Sequence, residues 1–276
     1  MRNYKVSLVA VLSAIGLIGS TNNSFAASNG TDNAAQSAYN GNWLNGSNGE
    51  ATGNAFLAWN LAETSGSTGF AGTFLGNSTT VGGPGANINV SGSSWGMFAN
   101  SDPTAIATAQ RNFTADGSTV SALSTGQTFS LSIAVNFRNG NKGFNLLDSG
   151  GGVLFDLNIG SDAYVVNNAT TGDGNLPNQT YDQNTAFALS FTQTTGSSGT
   201  WTVTRTGGQS DFDSGTYTGA AAGFKLYTQD TGNTNSDDFY ANSLSIATVP
   251  EASDSALVLC GIGVLLMRKR NWMSRS

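Results

Sequence analysis

Phe129-Ser130-Leu131-Ser132-Ile133-Ala134-Val135-Asn136-Phe137 is the stretch that decides the fold. Its five large apolar residues stand at odd positions and its small or polar residues at even ones. A period of two places one set on each face of an extended strand, one toward a core and one toward water. The same alternation recurs outward along the chain. Val153, Phe155, Leu157 and Ile159 share a face, with Asp156 and Asn158 opposite. Phe187, Leu189 and Phe191 repeat it, as do Trp201 and Val203 with Thr202 and Thr204 between. From Phe239 to Ile246 the reading puts Tyr240, Asn242, Leu244 and Ile246 together. Half-buried strands of this kind suit antiparallel sheets.

Turn chemistry separates the strands: Gly82-Gly83-Pro84-Gly85, Asn139-Gly140, Gly150-Gly151-Gly152, Gly172-Asp173-Gly174 and Gly207-Gly208. Phe129–Phe137, a short loop at Asn139–Lys142 and then Gly143–Leu147 predict a hairpin. No long helical period occurs between residues 27 and 248, and no repeat of fixed length is visible. Many short strands with frequent turns predict an all-β protein, a single antiparallel sandwich of jelly-roll type over residues 39–248. Residues 27–38 (ASNGTDNAAQSA) are small and polar, and read as a loose leader.

Composition removes several chemistries. The 276 residues include 36 Gly, one Cys and no His, and only 10% are charged. Without His there is no histidine triad, no His-ligated zinc and no imidazole acid–base step. One Cys forms no internal disulfide. Between residues 27 and 250 five Lys and Arg (Arg111, Arg138, Lys142, Arg205, Lys225) stand against 15 Asp and Glu. A body this acidic is no partner for nucleic acid, whose binding rests on neutralising phosphates.

The two ends carry the remaining apolar runs. Arg2 and Lys5 precede Val6–Ile18, and Ser24-Phe25-Ala26 places small residues before a cut between Ala26 and Ala27. That pattern predicts a secretory signal peptide over residues 1–26, read by Sec-type export machinery. At the other end, Ala256–Met267 is a 12-residue apolar run followed by Arg268-Lys269-Arg270. It reads as a short transmembrane helix, below the usual span of about 20 residues, with the basic cluster held on the cytoplasmic side.

Val249-Pro250-Glu251 stands just before that run. The order of motif (249–252), helix (256–267) and basic cluster (268–270) resembles the PEP-CTERM sorting signal of Gram-negative bacteria. Pro250 and Glu251 match the motif, while Ala252 replaces its second Pro. The resemblance implies processing by an exosortase-like enzyme, transient residence in the inner membrane and delivery to the cell surface or an extracellular matrix. Gly46–Gly49, Phe56–Trp59, Arg111–Phe113, Gly126–Ser130 and Asp238–Leu244 also resemble a sandwich module of such proteins, similar in outline to concanavalin-like folds.

Candidate sites are few. A retaining glycosidase needs two carboxyls about 5–5.5 Å apart. The body has only Glu50 and Glu63 as Glu and no E-x-D-x-x-E run; Asp211 and Asp213 share a strand face without further support. Asp230-Thr231-Gly232-Asn233-Thr234-Asn235-Ser236-Asp237-Asp238 is rich enough in oxygen donors for Ca²⁺, with Asp230, Asp237 and Asp238 as ligands. The competing reading is a plain loop closed by Asn and Asp side chains. Trp43, between Asn42 and Asn45 in a Gly-rich stretch, is the candidate for stacking on a sugar. Arg111 has two readings, a buried partner of an Asp or a surface residue.

These observations together describe an exported surface or matrix protein with a structural or adhesive role and no catalysis. The alternative is a carbohydrate-binding module for exopolysaccharide, calcium-dependent or not.

Overall fold

A computed structural model describes residues 26–50, 53–79 and 86–248. The sorting motif Val249-Pro250-Glu251, the apolar run after it, the cluster Arg268-Lys269-Arg270 and all of the signal segment before Ala26 lie outside the described residues.

Fifteen strands follow one another. They are β1 (Gly30–Asp32), β2 (Asn60–Thr64), β3 (Ala71–Gly76), β4 (Ser94–Ala99), β5 (Ile106–Asn112), β6 (Gln127–Val135), β7 (Asn141–Leu147) and β8 (Val153–Gly160). Then come β9 (Ala163–Asn167), β10 (Gly174–Asn175), β11 (Ala186–Thr195), β12 (Ser198–Thr206), β13 (Asp211–Thr218), β14 (Gly223–Gln229) and β15 (Phe239–Thr248). A single 3-10 turn, Asn235–Asp237, is the only helical element among the described residues.

All pairings between strands are antiparallel, and they form two sheets. One runs β13-β12-β11-β6-β15-β4-β3, with β1 added beside β15; the other runs β10-β9-β8-β7-β14-β5-β2. The predicted all-β sandwich is therefore observed. Its core is aromatic. Phe113, Phe129, Phe144, Phe191 and Phe224 are fully buried where the sheets face each other, and Phe129 lies 5.0 Å from Phe224 and 6.3 Å from Phe144 across the interface. Each such pair contributes about 0.5–1.5 kcal/mol beyond the burial of its area.

Three local expectations are corrected. β6 and β7 are not a hairpin, because they belong to different sheets. Their apolar faces meet across the core instead of lying side by side. The chain makes the crossing at Gly140, whose φ of +67° and contact with the Asp230 carbonyl leave no room for a side chain. In β15 the predicted face changes sides. A register shift between Asn242 and Ser245, with Ser243 at φ +59°, inserts one residue. Phe239 and Ala241 thus share the core with Leu244 and Ile246, and Tyr240 points outward. A bulge of this kind reverses the alternation that follows it.

Residues 27–38 are the third correction. They are built into the sandwich: Gly30–Asp32 pairs with Ile246–Leu244, and Ala27, Ala34 and Asp32 are buried. The cause is Arg111. Its Nη1 lies 2.5 Å from Asp32 Oδ2, its Nε donates to the Leu57 carbonyl at 2.7 Å and its Nη2 to Asn48 Oδ1 at 2.6 Å. The Tyr39 hydroxyl donates to Asp32 as well, and Trp59 Nε1 donates to Tyr39 at 3.0 Å. Of the two readings of Arg111, the buried one holds.

Removing one member of a buried pair leaves an uncompensated charge, which costs roughly 3–5 kcal/mol. Asp32→Ala is expected to lower the unfolding free energy by about that amount in urea titrations. The double variant Asp32→Ala/Arg111→Met is expected to lose less than the sum of the two single variants.

Candidate functional site

The outer face of the seven-stranded sheet is where the polar side chains converge. Strand register aligns Asn60, Gln110, Lys225 and Asn145 across β2, β5, β14 and β7. The same row continues through Asp156 and Asn167 on β8 and β9. Six consecutive strands thus present one unbroken row of amides with one cation and one carboxyl. At roughly 4.8 Å between strands the row is about 24 Å long. A cleft of about 390 Å³ opens over its centre, lined by Asn145, Asp156, Asn158, Lys225 and Tyr227 among others.

The centre is organised by a glycine. Tyr227 is paired with Gly143 on β7, and a Cβ there would stand 2.7 Å from the Tyr227 hydroxyl and 2.0 Å from the Leu157 carbonyl. With no side chain at 143 the ring lies across β7 and reaches β8. The Tyr227 hydroxyl donates to Asp156 Oδ1 at 2.8 Å and accepts from Asn158 Nδ2 at 3.0 Å. Asn145 donates to the same carboxyl oxygen at 2.7 Å and Asn167 to Oδ2 at 3.1 Å.

Burial pushes the Asp156 carboxyl above its ordinary range, and the three side-chain donors pull it back. Burial and the neighbouring carboxylate push the Tyr227 phenol far up, so it stays protonated and serves as a donor. Lys225 is half-buried beside them. Among the described residues no hydrogen bond or ion pair engages its ammonium.

The residues singled out from sequence lie elsewhere. Trp43 is only 2% exposed; it packs edge-on against Trp59 at 5.0 Å and beside Trp95 at 6.1 Å, and presents no face to a sugar. An aromatic that is accessible is Tyr181, 41% exposed and stacked on Phe137 at 6.0 Å. The Asx-rich loop closes on itself. Asp237 accepts from Asn139 Nδ2 at 2.7 Å and from the backbone N–H and hydroxyl of Thr234 at 3.0 and 2.9 Å. Asp230 is exposed on the far side of that loop, at φ +49°. Among the described residues no group of three or more acidic, His or Cys side chains is placed to hold a metal ion. Ala26 is exposed and Ala27 buried.

No protein-family model matches the chain, and no curated protein does. Solved structures similar in outline include a sialidase (11% identity, TM-score 0.36), covering 59% of this chain and 16% of that one. An alginate lyase from Polysaccharide Lyase family 7 is 16% identical over 64% of this chain and 94% of its own, at TM-score 0.37. An alginate lyase from Corynebacterium sp. is 14% identical over 68% of this chain and 93% of its own, at TM-score 0.39. The chain spans about a sixth of the sialidase's length. The expectation of a body without catalysis is corrected on this finding, since these neighbours are enzymes.

Tyr227→Phe removes one donor from the ionised Asp156, so the carboxyl midpoint is expected to rise further in a carbon NMR titration. A carboxyl raised in the folded state makes stability fall as pH climbs from its ordinary value to the raised one. That fall is expected to be larger in the variant. An unchanged or lower midpoint would separate the phenol from Asp156.

Proposed function

We propose that this is an exported cell-surface or matrix protein that binds a polysaccharide along the outer face of its seven-stranded sheet. The observation that carries the reading is the six-residue row with, at its centre, the Lys225 ammonium, which has no hydrogen-bond partner among the described residues. Amides and an ammonium offer both donors and acceptors to hydroxyls without demanding a charged ligand. The row runs across the strands, so it suits an extended chain more than a compact small molecule. Its members are fixed by strand register instead of by loops, which keeps the ordering cost of binding low.

Charged hydrogen bonds contribute about 1.5–3 kcal/mol, or roughly ten- to a hundredfold in affinity. Lys225→Ala and Asn145→Ala are each expected to weaken retention in affinity electrophoresis through polysaccharide gels, the first by at least about tenfold. Ser190→Ala, on the outer face of the other sheet, is expected to change nothing. Equal retention of all three variants and the parent would overturn the reading.

A second reading rests on the hydrogen bond between Tyr227 and Asp156. A protonated phenol beside a carboxyl, in the middle of a chain-binding row, is a candidate acid–base pair. It predicts new chain ends released from a bound polysaccharide, a release that Tyr227→Phe abolishes while binding persists.

Export is supported by the two terminal patterns. Sec-type machinery would take the signal peptide, an exosortase-like enzyme would act at Val249-Pro250-Glu251, and Arg268-Lys269-Arg270 would hold the helix until then. Mass spectrometry of the mature protein is expected to find a start at Ala27 and a stop near Glu251. An intact chain at the cell surface would remove the sorting reading and leave the polysaccharide row untouched.

A further inference from the structure

A second cavity, of about 470 Å³, opens on the outer face of the eight-stranded sheet, where β3, β4 and β15 lie side by side. Glycines shape it as well. Gly72 pairs with Phe98, and Phe74 with Gly96; Gly96 also pairs with Tyr240 on β15. A Cβ at Gly96 would stand 2.4 Å from the Phe74 ring, and one at Gly72 2.7 Å from the Phe98 ring. The two half-buried phenyl rings therefore lie over the backbone, and Tyr240 meets Phe74 edge-on at 5.7 Å.

Polar groups line the rest of the wall. Tyr240 is 4% exposed, and its hydroxyl is buried with no hydrogen-bond partner among the described residues. Asp238 stands beside it. Its backbone N–H is used by the Asn235 carbonyl, while no described residue donates to its carboxyl. Asn100 and Asn235 add amides at the rim, and among the described residues no Lys or Arg lines the cavity.

We infer that this cavity is a binding site for an amino sugar, with the ammonium at the Asp238 carboxyl and the sugar ring against Phe74 and Phe98. Aromatic faces and a carboxyl together favour a cation over a neutral or anionic group. The amides and the Tyr240 hydroxyl supply partners for ring hydroxyls, which a simple quaternary ammonium lacks. Burial pushes Asp238 up to about 7, with Lys142 opposing and Asp237 reinforcing the shift. A bound ammonium returns the carboxyl to its charged form. The site is independent of the Lys225 row on the opposite sheet.

The test is calorimetric titration of the purified protein at neutral pH with the methyl glycosides of glucosamine, N-acetylglucosamine, glucose and glucuronic acid. Glucosamine is expected to bind at least about tenfold more tightly than its N-acetyl form, and glucuronic acid not to bind. Asp238→Asn is expected to erase the preference for the amine, and Phe98→Ala to weaken every sugar alike. Lys225→Ala is expected to leave the preference intact, which separates this site from the polysaccharide row. Thermal melting of each variant checks that it is folded. Equal binding of the N-acetyl form, a preference that survives Asp238→Asn, or no binding of any probe would overturn the inference.

Discussion

The Arg111–Asp32 pair holds the two layers in their relation. Arg111 belongs to β5 in one sheet and Asp32 to β1 in the other, so a charge-assisted bond crosses the core that the phenyl rings otherwise fill. Taking both ions out of water is expensive, and the guanidinium is compensated by the Leu57 carbonyl and Asn48 Oδ1 as well as by Asp32. The guanidinium also lies over the rings of Phe56 at 5.0 Å and Trp59 at 5.1 Å. One consequence is geometric. β1 extends the sheet along β15 beyond the point where β4 leaves it, with Gly30–Asp32 opposite Leu244–Ile246. The tie therefore fixes the half of β15 that follows the bulge.

Both outer faces use one device. A ring on one strand lies across a glycine on its neighbour: Tyr227 over Gly143, Phe74 over Gly96, Phe98 over Gly72. Glycine weakens a strand on its own account, and the overlying ring restores contact while lying flat instead of standing off the sheet. The chemistry differs with what surrounds the ring. Over Gly143 the phenol reaches the Asp156 carboxyl and the Asn158 amide, and two further amides bond that carboxyl, which makes a polar row. Over Gly96 and Gly72 the phenyls have no polar end, which leaves an apolar floor beneath Asp238 and Tyr240.

How much of this was legible in the sequence depends on whether a feature is local to one strand. The alternation in Phe129–Val135 and in Phe187–Phe191 reads directly onto the buried faces of β6 and β11. The same rule failed in β15, where one inserted residue flips the parity and no residue type announces the bulge. It failed for residues 27–38 because a small polar stretch acquires its order from a cation almost 80 positions away. The row on the seven-stranded sheet was beyond reach for a related reason. Asn145, Asp156 and Lys225 are ordinary polar strand residues taken singly, and only cross-strand register makes them neighbours. Trp43 shows the converse error: flanking Asn and Gly residues suggest exposure, yet three indoles pack together there.

Charge placement ties these points to function. Arg111, Lys142 and Arg205 are all buried, each spending its donors on the fold: Lys142 on the Asp237 carbonyl at 2.7 Å, Arg205 on the Thr180 carbonyl at 2.6 Å. Arg138 lies over the Tyr164 and Tyr181 rings and donates to the Gln179 carbonyl. Of the five cations between residues 27 and 250, that leaves Lys225 as the one whose charge serves no interior bond. On a surface otherwise acidic, the Lys225 ammonium and the Asp156 carboxyl, two strands apart and attracting each other, give the row of amides a fixed polarity. On the proposed reading, a chain molecule laid along the row would meet the Lys225 cation and the Asp156 carboxyl in an order set by the direction in which it runs.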